Sequence, residues 1–441
     1  MVMTAPVGFE RETFKTLLES YLERVNQGSG DLLQRLRMKA WDHFLELGLP
    51  TRHQEAYRYI KLRQLFAQSY ALAEPVSLSL EDFSAAIYPE CRQSVLVFIN
   101  GHFSPQLSCR QAISNRIVIS TLQEASRTYG ALLSNQWGQS LKEETDPFAA
   151  LNGALHHQGA FVYIPPKTQV EAPIQILNII QTDDRLCLLS PRVHLFVGAQ
   201  AEVSILTSQK VLGSSGHFFN QVTELALEES ARVHYTQILE GDHSQAWHLD
   251  AVRATLKRHA HLKTVCVTEG GMTVRHDYRV ALMGENAEAL LNGVWMLADK
   301  KENHTHILID HQAPHCRSYQ LFKGVLNDFS RSSFEGKIFV RQIAQKTEAF
   351  QLNKNLLLND YAHADSKPNL EVLADDVKAS HGATVGQLDP EQLFYLKTRG
   401  LSTKQAMNLL IYGFCEQILE MIPLPSLKET ISQRCRSFYY E

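Results

Sequence analysis

A small residue recurs at nearly constant spacing through the middle of this 441-residue chain. The stretches GAQAEV, EESARV, KRHAHL and GENAEA place Ala201, Ala231, Ala260 and Ala287 at intervals of 30, 29 and 27 residues. Each time a polar turn leads into the alanine, and alternating segments such as ARVHYTQILE are typical of β-strands. A repeat of this length with little helical periodicity predicts stacked β coils, in a solenoid or β-helix or otherwise in a large sandwich.

Both ends of the chain carry helical signals instead. Residues 9–48 have apolar side chains at helical spacing, and their second segment begins at Asp31 and ends at Gly48. Short apolar runs between 94 and 120 are typical of strands. Near the C-terminus, Asp389 is a good N-cap and Ser402 with Gln405 forms a capping box. We therefore expect a mostly helical N-terminal domain over 1–146, a β core over 147–388 and a helical C-terminal domain over 389–441.

Composition narrows the functional classes. The formal net charge of −4 disfavours binding to nucleic acid or to a membrane surface, and no apolar run is long enough to span a bilayer. The N-terminus has no apolar signal region, so we expect a cytoplasmic protein. Seven scattered cysteines without a C-x-x-C pair argue against a disulfide framework, a structural zinc site or an iron–sulfur cage built by this chain alone. No phosphate-binding loop is present, so we expect no ATP hydrolysis by the chain itself.

The segment ENHTHILIDHQAPHC is the richest in metal-ligand types. Its candidate ligands are His304, His306, Asp310, His311, His315 and Cys316. On a strand, His304 and His306 point to the same face, and an H-x-H pair near a carboxylate can hold a divalent metal, as at the start of a cupin site. The alternative is the polar outer face of a β coil. One hypothesis is therefore a stand-alone, metal-dependent, cupin-like β-fold enzyme that uses His304 and His306.

A single histidine, His381, stands where the strand-like region gives way to the C-terminal helices, within the motif SHGATVG. Adjacent strand residues face opposite sides, so Ser380 cannot easily pass a proton to His381 in a hydrolase pair. A lone histidine is most often a hydrogen-bonded structural residue. A purely structural subunit, in which His381 only supports folding, is therefore another hypothesis.

Longer stretches resemble a known family. HCRSYQLFKGVLNDFSRSSFEGKIFVRQIAQKTEAFQLNKNLLL, HADSKPNLEVLADDV and ADDVKASHGATVGQLDPEQLFYLKTRGLS are similar to the SufB/SufD family of SUF iron–sulfur cluster assembly proteins. GLPTRHQEAYRYIKL, LVFINGHFSPQLS and LNGALHHQGAFVYIPPKTQVEAPIQI resemble the same family. The SHGATVG form, rather than an HEA form, is similar to the SufD branch. The resemblance covers nearly the whole chain.

The resemblance implies a right-handed parallel β-helix flanked by helical domains, in agreement with the repeat. It implies a non-catalytic scaffold subunit of a SufBCD-type complex, with a SufB-like paralogue as heterodimer partner and a SufC-like ABC ATPase that hydrolyses ATP. A homodimer is expected when the chain is alone. His381 matches the histidine of the SufB-facing site, where a transient iron–sulfur cluster is shared with SufB and none is held by the isolated chain. Neutral imidazole can ligate iron.

One position departs from the family pattern. Some members have cysteine two residues before this histidine, where this chain has Ala379. Residues two apart on a strand share a face, so the sulfur ligands of any cluster here must come from the partner or from sulfide.

The C-terminal segment 402–422 is apolar around most of its girth. Such a helix must be buried on several sides, partly by its own fold and partly by a partner. The resemblance implies that the ATPase docks here, and we expect Leu409, Tyr412, Phe414 and Leu419 to take part. The alternative is a helix that only caps the β core and shields its open edge.

Overall fold

The computed structural model describes residues 7–26, 31–156, 159–182, 185–213, 216–241 and 245–439. The helices are α1 Val7–Val25, α2 Leu32–Leu47, α3 Leu62–Phe66, α4 Leu122–Thr128, α5 Gly130–Glu143, α6 Pro147–Leu155, α7 Pro390–Thr398, α8 Thr403–Leu419 and α9 Pro425–Cys435. Short 3₁₀ segments lie at Glu55–Tyr57, Leu80–Asp82, Ser84–Ala86 and Pro89–Cys91. Within the described ranges, none of the helices combines the length and apolar character needed to cross a bilayer.

Strands make up the middle of the chain. They are β1 Ala71–Leu72, β2 Val95–Ile99, β3 His102–Cys109, β4 Val118–Thr121, β5 Ala160–Ile164, β6 Ile174–Ile180, β7 Cys187–Leu189, β8 Arg192–Val197, β9 Glu202–Val211, β10 His217–Leu227, β11 Arg232–Leu239, β12 Ala246–Leu256, β13 His261–Thr268, β14 Thr273–Leu282, β15 Glu288–Leu297, β16 Glu302–His311, β17 Arg317–Leu326, β18 Arg331–Val340, β19 Thr347–Leu357, β20 His363–Val372 and β21 Val377–Gly386.

Successive strands alternate between two sheets. The first runs in the order β20-β18-β16-β14-β12-β10-β8-β5-β4, and the second in the order β21-β19-β17-β15-β13-β11-β9-β6-β2-β3. Each long strand pairs in parallel with the strand two places away, one coil on. Only the pairs β2–β3 and β4–β5 are antiparallel among the described strands. This arrangement is a β-solenoid of about eight turns, so the predicted β-helix fold is confirmed.

The recurring alanines mark one corner of this solenoid. Ala201, Ala231, Ala260 and Ala287 all precede strands of the second sheet and are buried in the interior. The residue before each alanine has a positive φ between 56° and 60°: Gln200, Ser230, His259 and Asn286. The backbone N–H of each of these residues donates to a carbonyl of the next coil. Ser230, for example, donates to the carbonyl of Arg258 at 2.9 Å. A tight left-handed corner needs a small residue inside it, which explains the repeat.

Helices cover the outer faces of both sheets. The N-terminal helices pack on the first sheet through a cluster that includes Phe14, Phe148, Phe218 and Trp247. Helices α8 and α9 pack on the second sheet. The predicted caps are also confirmed, since Asp31 accepts from the backbone N–H of Gln34, and Ser402 and Gln405 form the capping box of α8.

Candidate functional site

His381 lies on β21, the last strand of the second sheet. It is in register with Gln351 of β19, one coil below, and Gln351 is in register with Gln320 of β17. These positions alternate with outward-facing ones, so His381 belongs to the row of side chains that fills the solenoid interior. No further coil covers it, and the imidazole is exposed. His381 therefore stands at the open end of the internal row.

The residues beside His381 have the orientations that the sequence predicted. Ser380 is on the opposite face of β21, so it cannot form a hydrolase pair with His381. Ala379 shares the face of His381 and packs beside Ala349, Ala374 and Ile338. No thiol stands at that position, and β18 to β21 contain no cysteine.

We call the inward-facing side chains of β18 to β21 the mouth. On the first sheet they are Ser332, Phe334, Gly336, Ile338, Val340, Ala364, Ser366, Pro368, Leu370 and Val372, and on the second they are Ala349, Gln351, Asn353, Asn355, Leu357, Ala379, His381, Ala383 and Val385. The structure describes all of these, and His381 is the one titratable side chain among them. An imidazole in its neutral form keeps a lone pair on one ring nitrogen, which can bind a metal.

Polar atoms at the mouth remain without partners. Gln351 donates to the side-chain oxygen of Gln320 at 2.8 Å, and Asn355 donates to Asn353 at 2.8 Å. The side-chain oxygen of Gln351 and the hydroxyl of Ser366 are buried and have no hydrogen bond in the structure. Buried polar groups nearly always find a partner, so each of these atoms has capacity for one more hydrogen bond.

The edges of both sheets are also bare at this end. β20 and β21 each pair on one side only. Apolar side chains are exposed along them, with Leu373 at 53% and Val385 at 48%. Unpaired strand edges with apolar residues are templates for another chain.

The six candidate ligands between His304 and Cys316 do not converge. His304 bonds Ser333 at 2.7 Å and His306 bonds the carboxylate of Asp277 at 3.1 Å, both beneath the N-terminal helices. Asp310 forms an ion pair with Arg341, and His311 faces the solenoid interior. His315 lies at an exposed corner, and Cys316 is buried in the core. Among the described residues no cluster of three or more ligands suits a metal ion. The predicted shared face of His304 and His306 is correct, but their nitrogens are engaged with protein groups.

Arginine and carboxylate side chains around His306 form a buried network that the sequence did not reveal. Arg253 forms ion pairs with Glu144 at 2.7 Å and with Asp277 at 2.8 Å. Arg275 forms ion pairs with Asp277 at 2.6 Å and with Asp146 at 2.8 Å. Burial alone would raise the pKa of Asp277, but Arg253 and Arg275 outweigh it and hold that pKa well below its usual range. The network fixes the start of α6, where Asp146 is the N-cap, to the outer face of the first sheet.

The C-terminal helices expose only part of the predicted docking surface. Leu409 is 49% exposed. The ring of Tyr412 faces Arg436, with 4.2 Å from the ring centroid to the guanidinium carbon. The ring of Phe414 faces Lys323, with 5.2 Å from the ring centroid to the ammonium nitrogen. Leu419 is buried at 1% exposure in the cluster against the second sheet. Leu419 therefore anchors α8 to the second sheet, and its part in docking the ATPase stays a prediction.

Helix α7 supplies apolar surface that the sequence analysis missed. None of its residues is buried, and Phe394 and Tyr395 are 69% and 55% exposed. Two adjacent aromatic residues on a short capped helix were the available signal. Between this helix and the last coil lies a cleft of about 690 Å³, lined by residues including Tyr361, Leu388 and Met407.

Comparison with known proteins assigns the family. Residues 179–414 match the family described as SUF system FeS cluster assembly, SufBD core domain, and residues 10–176 match the SufBD protein N-terminal region. The chain belongs to the SufBD family. It is 31% identical to the iron–sulfur cluster assembly SufBD family protein slr0076 of Synechocystis over 95% of this chain and 92% of the relative.

Two SufBD relatives carry the name iron–sulfur cluster assembly protein SufD. The Escherichia coli protein is 28% identical over 88% of this chain and 89% of its own length. The Bacillus subtilis protein is 25% identical over 98% of both chains. The general role of this SufBD chain is thus iron–sulfur cluster assembly in the SUF system. The cupin-like fold of the alternative hypothesis is wrong, because the strands form a solenoid.

Proposed function

We propose that this SufBD chain is a non-catalytic, SufD-like scaffold subunit in which His381 is a ligand to an iron–sulfur cluster under assembly. The observation that carries the proposal is the position of His381, an isolated imidazole at the open end of the internal row of a solenoid. The cluster is the cargo of this site. Imidazole supplies a nitrogen ligand to iron, and sulfide or a partner's thiolates supply the rest, since the mouth holds no cysteine.

The partner at the open end is a SufB-like paralogue. The bare edges of β20 and β21 and the exposed side chains of Leu373 and Val385 all lie on this surface. A second solenoid with the same repeat offers matching strand edges. In the absence of that partner, the same edges favour a homodimer. The cluster is held between the subunits and is not retained by the isolated chain.

A SufC-like ABC ATPase docks on the C-terminal helices. Leu409, Phe394 and Tyr395 provide exposed apolar surface there, and Tyr412 and Phe414 lie at its border. The chain has no phosphate-binding loop, so ATP hydrolysis belongs to this partner. We propose the cytoplasm as the place where this complex works.

The His381→Ala variant tests the ligand role. The side chain is exposed, so the variant should fold and bind its partners with a stability change within about 0.5 kcal/mol. After anaerobic reconstitution, the SufBCD-type complex should retain less iron and sulfide than the wild type. The matched control is Ser380→Ala, which changes the adjacent, outward-facing residue and should retain the full content. Equal cluster content in wild type and His381→Ala would contradict the ligand role.

A further inference from the structure

The glutamine directly below His381 belongs to a short ladder of side-chain amides. Gln351 is in register with His381 above it and with Gln320 below it. The nitrogen of Gln351 donates to the oxygen of Gln320 at 2.8 Å. Strands in this sheet are about 4.8 Å apart, which is the spacing that lets stacked amides bond from coil to coil.

The ladder has an open acceptor at its upper end. The oxygen of Gln351 is buried and has no hydrogen bond, and Gln351 is only 3% exposed. The nitrogen of Gln320 is likewise unpaired at the lower end. The one bond in this ladder runs from a donor of the upper coil to an oxygen of the lower coil. The next donor in the upward direction is a ring N–H of His381.

Gln351 is also held in place. A side chain at Gly336 would overlap the amide of Gln351, so the absence of a Cβ there makes room for it. The amide is therefore packed against backbone on one side and bonded to Gln320 on the other. An acceptor that is fixed in this way can hold a neighbouring ring in one orientation, whereas an acceptor on an unfixed side chain cannot.

We propose that Gln351 is a positioning residue that accepts a hydrogen bond from Nδ1–H of His381 and leaves Nε2 free to bind iron. This inference rests on the proposed function, because it concerns the same imidazole. Histidines that bind metals usually donate their other ring nitrogen to an oxygen, which fixes the tautomer and the ring orientation. A hydrogen bond from Nδ1, the ring nitrogen nearer the backbone, to the coil below would leave Nε2, the outer nitrogen, for the metal.

Ring-nitrogen chemical shifts of the isolated chain, labelled with ¹⁵N-histidine, test the tautomer directly. The resonances of His381 among the 19 histidines are assigned as those lost in the His381→Gln variant. At a pH where the ring is neutral, the wild type should show Nδ1–H, the minority form of a free histidine side chain. Gln351→Met, which keeps the shape and removes the acceptor, should return the ring to the Nε2–H form.

Two further variants control this experiment. Ser380→Ala changes the adjacent, outward-facing residue of β21 and should leave the tautomer of His381 unchanged. Gln351→Glu keeps an oxygen acceptor and should keep Nδ1–H, and it decides the question if Gln351→Met does not fold. The inference is overturned if wild type and Gln351→Met share one tautomer, or if Gln351→Glu shows the Nε2–H form.

Iron binding by the reconstituted complex gives a second readout. Gln351→Met should lower the affinity for iron about tenfold, measured by competition with a chelator, and Ser380→Ala should not. Full cluster content in His381→Ala would refute the proposed function while the tautomer result stood. An unchanged tautomer in Gln351→Met would refute the inference while the effect of His381→Ala stood.

Discussion

At the N-terminal end of the solenoid the two sheets end in β3 and β4, which run antiparallel to their neighbours, whereas at the C-terminal end they end in the parallel strands β20 and β21. The interior of the first end is filled by Phe98, Phe103 and other apolar residues, with the two rings 5.3 Å apart. The interior of the other end shows His381 above unpartnered amide oxygen. Both ends face the same problem of terminating a stack of strands. The first end fills its interior with side chains of this chain, and we propose that a partner covers the second.

The largest expected difference between the two ends is in the loss of folding stability when one side chain is truncated. Phe98→Ala empties part of the closed interior and should lower the free energy of unfolding by about 3–5 kcal/mol. Val385→Ala at the open end, where the side chain is 48% exposed, should lower it by less than about 0.5 kcal/mol in the isolated chain. Urea denaturation of both variants measures the difference. Similar losses would mean that the C-terminal end is as well packed as the N-terminal end.

A covered, inward-facing histidine sharpens the comparison through pH. His311 is covered by neighbouring coils, and burial lowers its pKa to about 4, with the charge of Asp310 opposing that shift. The folded state therefore resists a proton that the unfolded chain accepts below its ordinary pKa of 6.5. The resulting stability is present above about pH 6.5 and is lost as pH falls towards 4, by about 3 kcal/mol in total.

The His311→Gln variant should flatten this part of the curve. Its free energy of unfolding should change less than that of the wild type between pH 6.5 and 4. Val385→Ala at the mouth changes no titratable group, so it is the control and should leave the slope as it is in the wild type. Parallel curves for wild type and His311→Gln would show that the covered imidazole does not resist protonation.

A charge on the C-terminal helices tests where the second partner binds. Leu409→Glu should weaken binding of the SufC-like ATPase about tenfold, because a carboxylate would be buried in an apolar contact. Met38→Glu on α2, where the side chain is 40% exposed, is the control on the N-terminal helices. Titration of labelled ATPase measures both affinities. If Leu409→Glu binds as tightly as the wild type, the helices only cover the solenoid and the docking site is elsewhere.

The β-solenoid could be predicted from the sequence because the feature that most constrains each coil, its tight corner, depends on neighbouring residues in the chain. The left-handed corner before Ala231 requires a small residue, so the repeat is visible without an alignment. The caps at Asp31 and Ser402 are local in the same way. The inward direction of His381 followed from strand alternation once the strand was recognised.

Other features depend on contacts between distant segments and could not be found that way. Arg253 meets Glu144 across 109 residues, and neither position has a distinctive local pattern. Leu419 and Leu409 both belong to an apolar helix, and only packing against the second sheet shows which one is covered. The sequence also gave no sign that the amide of Gln351 would be short of one partner.

Backbone hydrogen exchange tests the central claim, that the C-terminal end is completed by a partner. In the isolated chain, amides of β20 and β21 should exchange faster than those of β2 at the closed end. Addition of a SufB-like paralogue should slow exchange over 363–372 and 377–386 at least about tenfold and leave 95–99 unchanged. Unchanged exchange in β20 and β21 within a stoichiometric complex would contradict the account, because the partner would then bind elsewhere.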